Sequence, residues 1–463
     1  MADVMRVFNP AAPDDVVAEF RQTTREELPG IVERARGAFD VWRKVPAAER
    51  ALKLEAFFAA ILASIDEIAL SITREQGKPL REARAETMKS VAEARAMIAH
   101  AMTVGTASAA SARPGVRNMI VRRPRGVVGA LTPWNFPILT PMRKIAPALA
   151  FGNAIILKPS EFTPTAARVL ERLSNQHLPE GLLQVVIGDG GLGEAICRSG
   201  LAAITFTGSV AVGRKVAATA AEQLSEVSLE LGGKNAVVVN DVADMDKAVT
   251  AIVGAAMQCA GQRCTAISRV VVADPIADAF VEALASRCRS LTVGDGMAEA
   301  TDIGAITTAG QLQKIEELVA DGRGSGARLV AGGERAVVEA RPKGRFFSPT
   351  VFDHVTPQMR IAREEIFGPV LSVLRYKHFD EAMQIVNDTP FGLTAALFSN
   401  RNDLINRFVD DVRSGMIHIN HGTTPDSHMP FGGIGDSGLG AYSVGASAAA
   451  FYTTEHAVYN QYD

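Results

Sequence analysis

The chain has 463 residues, enough for two or three domains and a large core, because single cores stop growing near about 250–300 residues. Its 48 basic residues against 51 acidic ones leave a formal charge of −3, which argues against nucleic acid and membrane surfaces as partners. Four scattered cysteines make no disulfide framework, the N-terminus lacks a basic start followed by an apolar run, and Pro133, Pro137 and Pro141 break the uncharged stretch 126–142; a cytoplasmic protein without a membrane span is expected.

From Arg25 to about Met102 apolar residues recur at three- and four-residue spacing between charged ones, as in Leu52–Phe58 and Ile65–Leu70, which predicts helices packed against a sheet. Gly77-Lys78-Pro79 punctuates them, Gly105 to Ala112 reads as a small flexible segment, and Val116 to Val121 as an exposed strand. From Gly126 the rhythm is strand, turn, helix: Val127 to Leu131 and a helix from Ile138; Ala154 to Leu157 and a helix from Pro164; Leu183 to Ile187 and Leu192 to Cys197; Ala203 to Phe206 and Val210 to Ala221. Apolar strands alternating with such helices predict an α/β fold with a doubly wound, Rossmann-like parallel sheet, its nucleotide site at the carboxyl ends of the strands. A second alternation begins at Asn235 and runs through Ala236 to Val239, Val270 to Val272, Pro349 to Phe352, Val370 to Tyr376 and Thr394 to Phe398, which predicts a second α/β domain. Thr453 to Asn460 again has strand character.

Two stretches match G-x-G-x-x-G. Gly433 to Gly438 has no βαβ unit after it and reads as a turn-rich loop; Gly188 to Gly193 follows a strand and opens a helix but has no acid about twenty residues on. Thr207-Gly208-Ser209, with Gly213 beyond it, is the better phosphate cradle, because a strand ends and a helix begins there; N-capping by Ser209 uses the same geometry without a ligand. Chemistry concentrates in Ser228-Leu229-Glu230-Leu231-Gly232-Gly233-Lys234 and Gly261-Gln262-Arg263-Cys264. A thiolate is a nucleophile, and a carboxylate within reach can take a proton from it or from an attacking water. Taken alone, Cys264 reads as a small buried hydrophobe; its place after a helical run from Ala248 to Ala260 that ends at Gly261 favours exposure to a cleft. Cys259, inside the apolar run, suits inert packing, and no metal-ligand set is read.

With Pro133-Trp134-Asn135-Phe136-Pro137, Lys158-Pro159-Ser160-Glu161, Phe206 to Ser209, Glu364-Glu365-Ile366-Phe367-Gly368-Pro369 and Pro430-Phe431-Gly432-Gly433, seven motifs stand in one order from about Asn9 to the end. In this the chain resembles the aldehyde dehydrogenase superfamily. Gly435 departs from the commonest pattern, which has a lysine there. The resemblance implies oxidation of an aldehyde by NAD, with NADP possible, through a Cys264 thiohemiacetal and a thioester. Asn135 and the Cys264 amide would stabilise the oxyanion, and Glu230 would activate water. It further implies that Trp134, Gly208, Ser209, Gly213, Leu231, Glu365 and Phe367 serve the cofactor. Lys158 and Glu161 suit the adenosine ribose, Glu161 favouring NAD because it would repel a 2′-phosphate. Read without the resemblance, Asn135 is a turn residue between prolines, Glu364-Glu365 a solvated acidic pair, and Lys234 a support for its glycine turn.

Arg143 lies eight residues after Asn135, about two turns along the helix, where it can line a substrate tunnel and hold a distal carboxylate; a surface charge is the alternative. Arg263, next to the nucleophile, can lower the thiol pKa or point away. The substrate expected is therefore an anionic semialdehyde. The expected domains are a cofactor-binding domain at 1–105 and 125–232, a catalytic domain at 233–440, and an oligomerisation arm at 106–124 and 441–463 that builds a homodimer or homotetramer. The rivals are a CoA-acylating enzyme, against which Glu230 counts, and a non-catalytic nucleotide-binding protein on the same scaffold.

Overall fold

The strand segments Val127–Leu131, Ala154–Lys158 and Ala203–Thr207 carry apolar or small residues at nearly every position and are buried along almost their whole length, the pattern of a parallel sheet covered on both faces. The computed structural model describes residues 4–442 and 444–462; residues 1–3, 443 and 463, which fall within the expected first domain and terminal arm, lie outside the described residues. The sheet order is Gly438–Leu439, Glu226–Glu230, Ala203–Thr207, Val127–Leu131, Ala154–Lys158, Leu183–Val185. All neighbours are parallel except Gly438–Leu439, which runs antiparallel to Glu226–Glu230. The chain winds one way from Val127–Leu131 through Ala154–Lys158 and then back to Ala203–Thr207 on the other side. A crevice opens at such a reversal, beyond the carboxyl ends of the two strands, and this is where α/β sheets hold ligands.

Four helices, Leu28–Trp42, Ala47–Ala63, Ile65–Gln76 and Leu80–Thr103, occupy the predicted helical region. Trp42 is fully buried among them and donates its indole N–H to the Leu149 carbonyl at 2.8 Å, which ties the first helix to Leu139–Ala150. Among the described residues no single helix is long and apolar enough to cross a membrane.

A seven-stranded sheet runs Arg328–Ala331, Thr350–Asp353, Val370–Tyr376, Arg269–Ala273, Ala236–Val239, Thr394–Phe398, Met416–Ile419. All five strands expected in the second alternation are in it; Arg328–Ala331 and Met416–Ile419 were not anticipated, being four-residue edge strands with mixed exposure and no apolar run. Val116–Pro124 pairs antiparallel with Thr453–Gln461 over nine positions. Ala107–Ala109 adds a third strand to that pair, correcting the reading of Gly105 to Ala112 as flexible: backbone pairing needs no bulky side chain. The hairpin of Val4–Asn9 and Ala12–Arg21 also escaped prediction, its strands being mostly half-buried or exposed and mixing apolar with charged residues. Gly433 to Gly438 is a turn, as expected, and delivers Gly438–Leu439 to the first sheet, where Gly438 pairs with Glu230.

Candidate active site

Cys264 owes its position to a strained turn. The helix expected over Ala248 to Ala260 is Met245–Met257; the chain then tightens through Gln258–Gly261, with Cys259 and Ala260 at φ 57° and 52°. L-residues adopt that region at a cost of about 1–2 kcal/mol each, so surrounding contacts must hold the turn. Gly261 sits at φ 68°, where a Cβ would come 2.1 Å from the Gly368 carbonyl oxygen. Gln262 is fully buried, accepting from the Thr307 amide at 3.0 Å and donating to the Cys259 carbonyl at 3.1 Å. The Asn235 side-chain amide donates to the Cys264 carbonyl at 2.7 Å. Cys264, partly buried, thus rides on a loop fixed from both sides.

The loop faces the sheet reversal across a cavity of about 440 Å³. Strand Val127–Leu131 leads into Trp134 and Asn135, and Ala203–Thr207 into Gly208 and Ser209, so both sides of the reversal supply its wall. The cavity brings together Cys264, Glu230, Asn135, Trp134, Gly208, Ser209, Leu231, Glu365, Phe367, Arg143 and Arg263. Three residues expected at the cofactor lie outside its wall. A Cβ on Gly213 would meet Leu231 Cδ2 at 2.5 Å, so Gly213 makes room for that leucine. Lys158 and Glu161 stand at the end of the Ala154–Lys158 strand, 3.9 Å apart, with Lys158 beside Gly193 of the glycine-rich turn. In that turn the Asp189 carboxylate accepts from the Gly191 and Leu192 amides.

Burial pushes the Cys264 thiol up to about 11; Arg143 opposes this most, Glu230 and Glu365 reinforce it, and Arg263 opposes it least. Arg263 therefore does lower the thiol pKa, as expected, but by less than Arg143 does and not enough to offset burial. Its guanidinium is buried and bonded to Gln258 Oε1 at 2.5 Å and Thr265 Oγ1 at 3.2 Å, and desolvation outweighs its charge. Asn135 Nδ2 donates to the Gln262 carbonyl at 2.9 Å, which aims the amide toward the cysteine loop, while Lys78 Nζ grips the Asn135 carbonyl at 2.7 Å.

Glu230, 4% exposed, has Oε2 at 3.1 Å from Lys144 Nζ and accepts from Thr207 Oγ1 at 3.0 Å. Lys144 is completely buried, and burial lowers its pKa against the pull of Glu230. Arg143, on the same helix, is buried rather than a surface charge. Its Nε and Nη2 donate to Glu93 Oε2 and Oε1 at 2.6 and 2.9 Å, and its guanidinium lies 3.9 Å from the Phe431 ring centre. The expected anion anchor is thus already half engaged by a carboxylate.

Sequence reasoning passed over Glu82, Glu86, Glu93 and Lys144, and placed Thr207 in the phosphate cradle without seeing its bond to Glu230. The three acids recur at positions one face of Leu80–Thr103 shares, and each serves the site. Glu82 accepts the Cys259 amide at 2.9 Å; Glu86 accepts the amides of Ile138 and Leu139, both at 3.0 Å, and pairs with Lys78 at 2.6 Å; Glu93 holds Arg143. A helix face with acids at such spacing reads as solvated unless the buried apolar residues beside it are weighed.

The residues present fit a dinucleotide. Gly208 and Ser209 offer the amino end of helix Val210–Glu222, where Ser209 Oγ caps Val212 N at 3.4 Å. Trp134 and Phe367 meet edge to face at 5.5 Å. Glu365 is a half-buried carboxylate, its pKa raised by desolvation, accepting from the Gly233 amide at 3.1 Å. Among the described residues no group of three or more His, Cys, Asp or Glu side chains is placed to hold a metal ion.

The model of the Aldehyde dehydrogenase family matches residues 2–458. An α-ketoglutaric semialdehyde dehydrogenase from Bacillus subtilis is 35% identical over 461 residues, covering 99% of this chain and 94% of that protein. The crystal structure of an NAD-dependent aldehyde dehydrogenase from Sinorhizobium meliloti superposes with a TM-score of 0.95 at 34% identity, covering 99% of this chain and 92% of that one. An E. coli NADP-dependent enzyme gives 0.96 at 32% identity, covering 99% and 95%.

Proposed function

The chain belongs to the aldehyde dehydrogenase family and is an NAD(P)-dependent aldehyde dehydrogenase, and from that premise we propose that it oxidises carboxylate-bearing semialdehydes to their acids in the Cys264 cavity. The observation that carries the substrate class is Arg143, a buried cation on the wall of the cavity that holds the thiol. The B. subtilis relative, whose name specifies a semialdehyde, supports it.

In this reading the Cys264 thiol gives its proton to solvent and the thiolate adds to the aldehyde carbon, whose oxygen gains negative charge beside the Asn135 Nδ2 and the Cys264 amide. Trp134, Gly208, Ser209, Leu231, Glu365 and Phe367 would hold NAD(P), with Lys158 and Glu161 at the adenosine end, as the hydride acceptor that lets the tetrahedral adduct collapse to a thioester. Glu230 then takes a proton from water, which attacks the thioester and releases acid and thiol. Lys144 and Thr207 fix the Glu230 carboxylate for that step. The free thiols Cys197, Cys259, Cys264 and Cys288 suit a reducing cytoplasm. The proposed domain division at 232/233 is supported by the separation of the two sheets, except that Gly438–Leu439, within the expected catalytic domain, returns to the first, and the antiparallel strands Val116–Pro124 and Thr453–Gln461 would form the arm of a homodimer or homotetramer.

The test is reduced-cofactor absorbance with NAD and then NADP, against succinic semialdehyde and butanal, without CoA. Higher kcat/KM for the semialdehyde is expected. Preference for butanal would reject the anionic substrate, and turnover that appears only with CoA would reject hydrolysis.

A further inference from the structure

Arg143 by itself is a weak anchor in this cavity. Glu93 occupies two of its donor nitrogens, so the pair is close to neutral as seen by a third charge. The same wall carries a second cation, Lys89, on the inward face of Leu80–Thr103. Its side chain is 26% exposed, its Nζ donates to the Pro425 carbonyl at 2.8 Å, and it stands 3.9 Å from Glu93 Oε1. Glu93 therefore lies between Arg143 and Lys89. An ammonium carries three N–H donors, and the Pro425 carbonyl takes one.

The charged groups that act on Lys89 are Glu93 on its own helix, Arg143 on Leu139–Ala150, Arg263 on the cysteine loop, and Asp426 on the loop that brings Thr424 and Pro425 to the cavity. Glu82, on the same helix and the same wall, acts in turn on Arg263. Protonation of Lys89 adds one positive charge to this end of the cavity, and its deprotonation removes that charge. A semialdehyde carboxylate entering here replaces water around an ammonium that is already partly stripped of it.

We propose that Lys89 is a specificity-determining residue, supplying a positive charge, beside the Arg143–Glu93 pair, that selects aldehydes with a distal carboxylate over neutral ones. The inference rests on the semialdehyde reading above. Burial, opposed by Glu93 and helped by Arg143, lowers Lys89 to about 8, so the selectivity should be lost through that region of pH while the always-charged Arg143 stays as it is.

The experiment measures kcat/KM for succinic semialdehyde and for butanal between pH 6.5 and 9.5, a span of roughly three units centred on that titration, in wild type, Lys89→Met and Lys89→Arg. Taking the ratio of the two substrates cancels the titrations of Cys264 and Glu230, which both reactions share. The wild-type ratio is expected to fall about tenfold with an inflection near pH 8. Lys89→Met should show the lowered ratio at every pH, and Lys89→Arg should keep the high ratio to the alkaline limit. Equal losses on both substrates in Lys89→Met would make Lys89 only a tether for the Pro425 loop and overturn the proposal. A semialdehyde preference that neither pH nor Lys89→Met alters would overturn it while leaving the proposed function standing. A wild type that prefers butanal at all pH values would overturn both.

Discussion

Replacing Glu230 by Gln separates the two halves of the reaction, because the structure assigns its charge opposite effects on them. The glutamine keeps the shape of the side chain and an acceptor for Thr207 Oγ1, which now donates at 3.0 Å. The negative charge of Glu230 helps to hold the Cys264 thiol near 11, so its loss makes thiolate more available and leaves acylation as fast or faster. Buried Lys144, pulled upward by Glu230, loses that pull and gives up its proton more readily, which limits the penalty of removing its counter-charge. Deacylation loses its general base, typically a factor of about 10²–10⁴, or roughly 3–5 kcal/mol of barrier. Stopped-flow mixing should show a burst approaching one reduced cofactor per site, then steady turnover slower than wild type by that factor. Iodoacetamide should alkylate Cys264 at least as fast in the variant. Steady turnover within about tenfold of wild type, or slower alkylation, would refute the assignment.

Arg143→Met should lower kcat/KM for succinic semialdehyde by no more than about tenfold relative to butanal, since Glu93 already takes two of its donors; equal losses on the two substrates would reject the anchor. The same change strands buried Glu93 and should cost about 3–5 kcal/mol of stability, of which Arg143→Met combined with Glu93→Gln should recover a part in denaturation experiments. In the cofactor-free enzyme, Cys264 alkylation should rise about tenfold per pH unit toward 11, since a raised thiol pKa leaves little thiolate at neutral pH; a plateau below about pH 9 would contradict the burial argument. Glu161→Gln should improve NADP relative to NAD by about tenfold in kcat/KM, by removing the carboxylate 3.9 Å from Lys158; an unchanged ratio would remove Glu161 from the ribose site.

Local pattern made much of the architecture legible. Strands such as Val127–Leu131 and Ala236–Val239 are apolar on both faces, and only a covered parallel sheet satisfies that. The strand-to-helix joints that carry Asn135 and Ser209 followed from the same rhythm. Short or exposed elements did not: Ala107–Ala109 and Met416–Ile419 have too few residues to show a period. The helix before Cys264 was read as starting and ending three residues too late, its end because Gln258 to Ala260 looks helical by composition; Gln262, Thr307 and Gly368 close around the turn that replaces it.

The sequence alone determined which chemistries are present, a thiol, a carboxylate and an amide in glycine-rich surroundings, and that they stand on the turns of an α/β scaffold. Tertiary structure decided the partner and the charge of each. Lys144 reaches Glu230 across 86 residues and Glu93 reaches Arg143 across 50, and both pairs form in surroundings where water no longer screens them. No local pattern carries that information, because the strength of a charge in a protein is set by what has been packed around it.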